Sequence, residues 1–150
     1  MNTSVLNIET RIANGKPYIM EVTPRGGGNR LSEMLRYATG VDMITACVKA
    51  AVGDPIEEIE QKQYNGIWAE FILHADQDGL FEDIQINEES VKCSIVEIDL
   101  WVKKGDRVFA FNGANNAIGT LVVNFKSNKD LEYAMQSIHK WIKVNVKNEK

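Results

Sequence analysis

Two short runs of apolar and β-branched residues open the chain, over residues 4–12 and 17–23. Ala13-Asn14-Gly15-Lys16 lies between them, and the pattern predicts a β-hairpin. Pro24 ends the second strand, and Arg25-Gly26-Gly27-Gly28-Asn29 predicts a loop. Leu31, Met34, Leu35 and Ala38 then recur at helical spacing up to Gly40. Asp42 can cap a second helix running through Ala51, with Met43, Ala46, Cys47 and Ala50 as its apolar stripe. Gly53 and Pro55 close that helix. The pattern changes there. Residues 67–74, 80–86, 91–102, 107–111 and 118–125 are apolar runs separated by turn residues, and they predict a β-rich region. Ser127, with Asp130 three positions later, predicts a capped helix to about Lys143, burying Leu131, Ala134, Met135, Ile138 and Ile142. Residues 147–150 are expected to fray. The fold class is therefore α+β: a hairpin with two helices over residues 1–54, then a β-rich domain over 55–150 closed by one helix.

Glu9 and Glu21 make the facing of the hairpin matter. A two-residue Asn14-Gly15 loop places Glu9 opposite Met20 and puts Glu21 on the other face. A three-residue loop, Ala13-Asn14-Gly15, places Glu9 opposite Ile19 and Glu21 opposite Asn7. It gathers Leu6, Ile8, Ile12, Tyr18, Met20 and Val22 on one face, and Asn7, Glu9, Arg11, Glu21 and Thr23 on the other. Burial energetics favour the second register, with the two carboxylates as diagonal neighbours about 7 Å apart at the backbone. In the blander reading this is a solvated face whose acids are neutralised by Arg11. Against it stands the sequel: the strand runs on into Arg25 and three glycines. Carboxylates hold Mg²⁺, a guanidinium grips phosphate through two bonds, and a glycine loop offers backbone N–H groups to anions.

Residues 8–28 resemble the closing metal-binding hairpin of the ATP-grasp ligases. In that family an acidic residue is followed about a dozen positions later by Glu-x-Asn-x-Arg, and here Glu21 lies twelve positions after Glu9. Leu31–Leu35 and Ala38–Met43 also resemble the next segment of the biotin carboxylase and carbamoyl phosphate synthetase group. Residues 102–108 and 118–123 resemble the small C-terminal domain of such ligases. The resemblance implies Mg²⁺ ligation by Glu9 and Glu21, and phosphate or acyl-phosphate contact by Arg25 beside Gly26, Gly27 and Gly28. Thr23 stands at the second metal-ligand position, where the family usually has Asn, so it implies one or two ions. The implied function is ATP- and Mg²⁺-dependent ligation of a small carboxylate to an amine or similar nucleophile through an acyl phosphate. The family's glycine-rich flap and nucleotide-binding lysines find no place in these residues. The chain is thus expected to be the C-terminal fragment of a longer ligase, inactive alone and able to self-associate. The alternatives are a non-catalytic β-rich binding or assembly module, or a split subunit that needs a partner chain.

Composition narrows the remaining classes. The 17 Lys and Arg stand against 21 Asp and Glu, for a net charge of −4 without a basic run, which argues against a nucleic-acid partner. No apolar run reaches the roughly 20 residues of a membrane helix. Cys47 and Cys93 lie in apolar surroundings and predict buried free thiols in a reducing cytoplasm. His74 and His139 lack neighbours at metal-ligand spacing and are expected to be structural. Trp68, Trp101 and Trp141 are expected in the core or between lobes.

Overall fold

The computed structural model describes residues 5–60, 63–87 and 91–148. The chain divides into two compact units, residues 1–65 and 66–150. The fold is α+β and its sheets are antiparallel.

The first unit holds a two-stranded sheet of β1 (Asn7–Ala13) and β2 (Lys16–Thr23), followed by α1 (Leu31–Thr39) and α2 (Met43–Val52). Both helices end on glycines in the left-handed conformation, Gly40 and Gly53, whose N–H groups bond Arg36 O and Lys49 O. The Asp42 carboxylate accepts from the Thr45 backbone N–H at 2.9 Å and from its hydroxyl at 2.9 Å. Those bonds hold its carboxyl below the usual carboxylate range, the backbone N–H contributing most. The cap therefore strengthens α2 above the ordinary Asp pKa and is lost as pH falls through the depressed one. Met43, Ala46 and Ala50 of the expected stripe are half-buried, but Cys47 is exposed beside Ile44, Val48 and Val52. Of the two cysteines expected to be buried, Cys93 is only half-buried, and neither is in a disulfide.

The second unit contains the core. One sheet has the order β3-β7-β5, from Ile67–His74, Ala117–Phe125 and Cys93–Leu100. The other has the order β6-β4-β8, from Arg107–Val108, Gly79–Ile86 and Ile142–Lys147. Strand β7 is central and buried on both faces, which is why its sequence is a nearly unbroken apolar run. Leu121, Val123 and Phe125 of β7 join Phe71, Leu73, Phe81, Val108 and Trp141 in one cluster. Gly119 of β7 passes so close to the Asp99 carbonyl of β5 that no side chain fits there.

The C-terminal segment departs from the single long helix expected. Ser127 does cap α3 (Asn128–Gln136), accepting from the Asp130 N–H at 3.2 Å. The helix then breaks at Ser137, whose hydroxyl bonds the Tyr133 carbonyl at 2.6 Å, and a single turn, α4 (Ile138–Trp141), follows. The chain next enters β8, so Lys147 is paired with Leu80 rather than frayed; Glu149 and Lys150 lie outside the described residues. Ile142, Val144 and Val146 alternate with Lys143, Asn145 and Lys147, and this period of two wins once β4 offers a ladder. Met135, expected to be buried, is 61% exposed. Trp101 is also exposed and donates to Asp99 Oδ2 at 3.0 Å.

Trp141 locks this segment. It is 1% exposed, meets Phe71 edge to face at 5.2 Å, and donates its indole N–H to the Ala134 carbonyl at 3.0 Å. Trp141→Ala is expected to lower unfolding stability by about 3–5 kcal/mol in a urea titration. Met135→Ala should change it by less than about 0.5 kcal/mol. A comparable loss from both would mean that the α3 face is assigned wrongly.

Candidate functional site

The hairpin turn is two residues long. Asn14 and Gly15 both have positive φ, 52° and 73°, as a type I′ turn requires, and Ala13 pairs with Lys16. From this turn Ile12 pairs with Pro17, Arg11 with Tyr18, and Thr10 with Ile19. Carried onward, that register would set Glu21 opposite Ile8, on the apolar face. A bulge intervenes instead. The register shifts between Glu9 and Thr10, Met20 becomes the extra residue, and Glu9 stands directly across from Glu21. The three-residue loop expected from burial is therefore not formed; a two-residue turn and a bulge share the correction it was meant to make. Asn7 pairs with Thr23, not with Glu21.

The resulting faces differ from the expected ones at three positions, Met20 now being the bulged residue that belongs to neither row. Asn7, Glu9, Arg11, Ala13, Lys16, Tyr18, Glu21 and Thr23 share the polar side, while Ile8, Thr10, Ile12, Pro17, Ile19 and Val22 share the other. Tyr18 has moved to the polar face and Ile19 to the apolar one. The polar face is a row: Lys16 nearest the turn, then Arg11, then the two carboxylates, then Thr23 and the strand exit.

Like charges directly opposite in a ladder repel, so their partners are informative. Among the described residues, neither Glu9 nor Glu21 forms an ion pair or a side-chain hydrogen bond, and Arg11 does not bridge to either. The neutralising role considered for Arg11 is absent. Thr23 Oγ1 is buried without a hydrogen-bond partner. Two facing carboxylates beside an orphaned hydroxyl suit Mg²⁺, which takes oxygen ligands, retains several waters, and needs only one or two carboxylates from the protein. The oxygen groups that meet on this face are two carboxylates and a hydroxyl, and among the described residues no group of three or more His, Cys, Asp or Glu side chains could hold a metal.

Beyond Thr23 the backbone turns through the glycine loop into α1. Arg25 is exposed, and among the described residues its guanidinium donates to the neighbouring Gly26 carbonyl alone, at 2.9 Å. Gly27 lies against the Leu31 side chain, where a Cβ would overlap it. A Cβ on Gly28 would meet nothing within 4 Å, so that residue leaves its backbone open. The Leu31 N–H reaches the Gly28 carbonyl at 3.4 Å, and α1 begins there.

Elsewhere in this unit, a cavity of about 330 Å³ adjoins Asp42, Thr45 and Lys49, and one of about 370 Å³ adjoins Leu35, Met43 and Ile59. Neither is lined by a residue singled out in the sequence as a ligand. In the second unit, His74 Nδ1 lies 3.6 Å from Asp76 Oδ1 and its ring meets Phe111 at 4.6 Å. The residues that sequence reasoning did not place in the site are Arg11 and Lys16. Arg11 shares the face of Glu9 in any register, being two residues from it on β1, whereas Lys16 joins that face only through the two-residue turn.

No family model matches the chain. Uncharacterized protein y4rH of Sinorhizobium fredii is 26% identical over 131 residues, or 87% of this chain and 27% of that protein. The carbamoyl phosphate synthase large chain of a Thermoanaerobacter species is 33% identical over 64 residues, 43% of this chain and 6% of that one. Phosphoribosylglycinamide synthetase from Anaerococcus prevotii superposes with a TM-score of 0.70 at 18% identity, covering 95% of this chain and 37% of the enzyme. L-amino acid ligase from Bacillus licheniformis does so with 0.69 at 18%, covering 95% and 36%. The chain thus spans about a quarter of the first relative's length and over a third of either ligase's. Both solved structures are ATP-grasp ligases, and this chain has the fold of part of one.

Proposed function

We propose that the chain is the closing part of an ATP- and Mg²⁺-dependent ligase that joins a small carboxylate to an amine or similar nucleophile. Residues 1–54 end its ATP-grasp domain, and residues 55–150 form its β-rich C-terminal domain. One observation carries this reading: Glu9 and Glu21 face each other across a ladder with no ion-pair partner among the described residues, next to an orphaned Thr23 hydroxyl.

Glu9 and Glu21 hold Mg²⁺, with Thr23 as a direct or water-mediated ligand of a second ion. The metal, when bound, neutralises charge on the phosphate oxygens during transfer. Arg25 has a guanidinium without an acidic partner among the described residues, suited to the transferring phosphoryl group, and the backbone N–H groups of Gly26, Gly27 and Gly28 would assist it. The substrate carboxylate attacks the γ-phosphorus as the bond to the β-phosphate oxygen breaks, giving an acyl phosphate and ADP. The nucleophile then attacks the acyl carbon, inorganic phosphate leaves with the C–O bond electrons, and the amine loses a proton. The described residues supply one wall of such a site, and the solved ligases are more than twice as long.

Two outcomes are expected. The chain should bind Mn²⁺, read by the loss of its free electron paramagnetic resonance signal, and Glu21→Gln should weaken binding at least about tenfold, 1.4 kcal/mol. The same substitution should leave thermal stability unchanged or slightly higher, because it removes a like-charge pair. Equal Mn²⁺ binding by both proteins would refute the metal assignment. Separately, the chain alone should form no ADP from Mg²⁺–ATP with a panel of amino and carboxylic acids. Steady turnover by the purified chain would overturn its description as a partial ligase.

A further inference from the structure

The polar face of the hairpin does not end at the carboxylates. Arg11 follows Glu9 by two residues on β1, on the same face and about 7 Å further along the backbone toward the turn. Lys16, across from Ala13, occupies the next position on that face. Arg11 forms no ion pair among the described residues and does not stack on Tyr18, its cross-strand neighbour. A guanidinium two positions from two unpaired carboxylates, yet bonded to neither, is available to another anion. Arg25 follows two residues after Thr23, the last residue of β2.

We infer that Arg11 is a polyphosphate-binding residue: it takes the oxygens of a metal-chelated triphosphate on the turn side of Glu9 and Glu21, while Arg25 takes those on the loop side. The inference rests on the metal role proposed for the two carboxylates. The charges support it. One divalent ion offsets the two carboxylates, which leaves the negative charge of a triphosphate to be met by the cations that flank them, and the exposed cations on this face are Arg11 and Lys16. A guanidinium also matches two phosphate oxygens at once, which an ammonium cannot.

The test is Mn²⁺ binding by the 150-residue chain, titrated with the metal alone and with Mn²⁺–tripolyphosphate at low salt, in wild type, Arg11→Met, Arg11→Lys and Glu21→Gln. The two ligands should respond to Arg11→Met with opposite signs. Bare Mn²⁺ should bind as tightly or up to about threefold more tightly, because a neighbouring positive charge is removed. Mn²⁺–tripolyphosphate should bind about three- to tenfold more weakly, with Arg11→Lys between the two. If Arg11→Met weakens both equally, Arg11 supports the hairpin and the inference fails. It fails as well if tripolyphosphate binding is unchanged by Arg11→Met while Glu21→Gln abolishes metal binding; the metal role of the carboxylates then stands. Absence of Mn²⁺ binding by wild type removes both.

Discussion

The bulge at Met20 is the constraint on which the candidate site depends. Side chains alternate along a strand, so a one-residue change of register moves every later residue to the opposite face. Asn14-Gly15 imposes a two-residue turn, and the pairing that grows from it would send Glu21 to the side of Ile8, Ile12 and Ile19. One extra residue between Ile19 and Glu21 restores the separation. Ile8 and Val22 then stay together on the apolar side, and Glu9, Glu21 and Thr23 come together on the other. Bulges are known for redirecting a side chain beside a functional site. Here the redirected side chain is a carboxylate placed opposite another.

The two units solve different physical problems. The second is organised around a strand buried on both faces, and a single indole ties its last helical turn to that core. Among the described residues of the first unit, only Ala38 is buried. The hairpin there holds its shape through its ladder and its turn, with Ile12 and Ile19 both more than 60% exposed. A two-stranded ribbon gains little from burial by itself. The facing pair of acids adds nothing to its stability.

What could be read from the sequence follows from range. Hairpin, glycine loop and helix ends are local: Gly40, Gly53, Asp42 and Ser127 act through bonds within a few residues, and each does so here. The bulge is not local in this sense. The conflict between an Asn-Gly turn and an apolar-polar division is visible in the sequence, but a longer loop and a bulge resolve it equally well on paper. The C-terminal strand was hidden for another reason: Ile138 and Ile142 fit helical spacing, while Ile142, Val144 and Val146 fit strand spacing, and only the free edge of β4 decides between them. The facing of α2 was missed because nearly all its residues are apolar, so its pattern cannot say which side is covered.

Electrostatics on the polar face favours a ligand that carries both signs of charge. A simple anion would meet Glu9 and Glu21, which repel it, and a bare cation would meet Arg11 and Lys16, which repel it. A divalent ion chelated by a polyphosphate offers positive charge at its centre and negative charge at its ends. Along the row of Lys16, Arg11, the two acids and Thr23, that distribution is the complement of the protein's own. These groups are exposed, so each contact is individually weak and screened by salt. On the proposed reading selectivity would come from the order of charges along the hairpin, in which the bulge brings Glu21 beside Glu9.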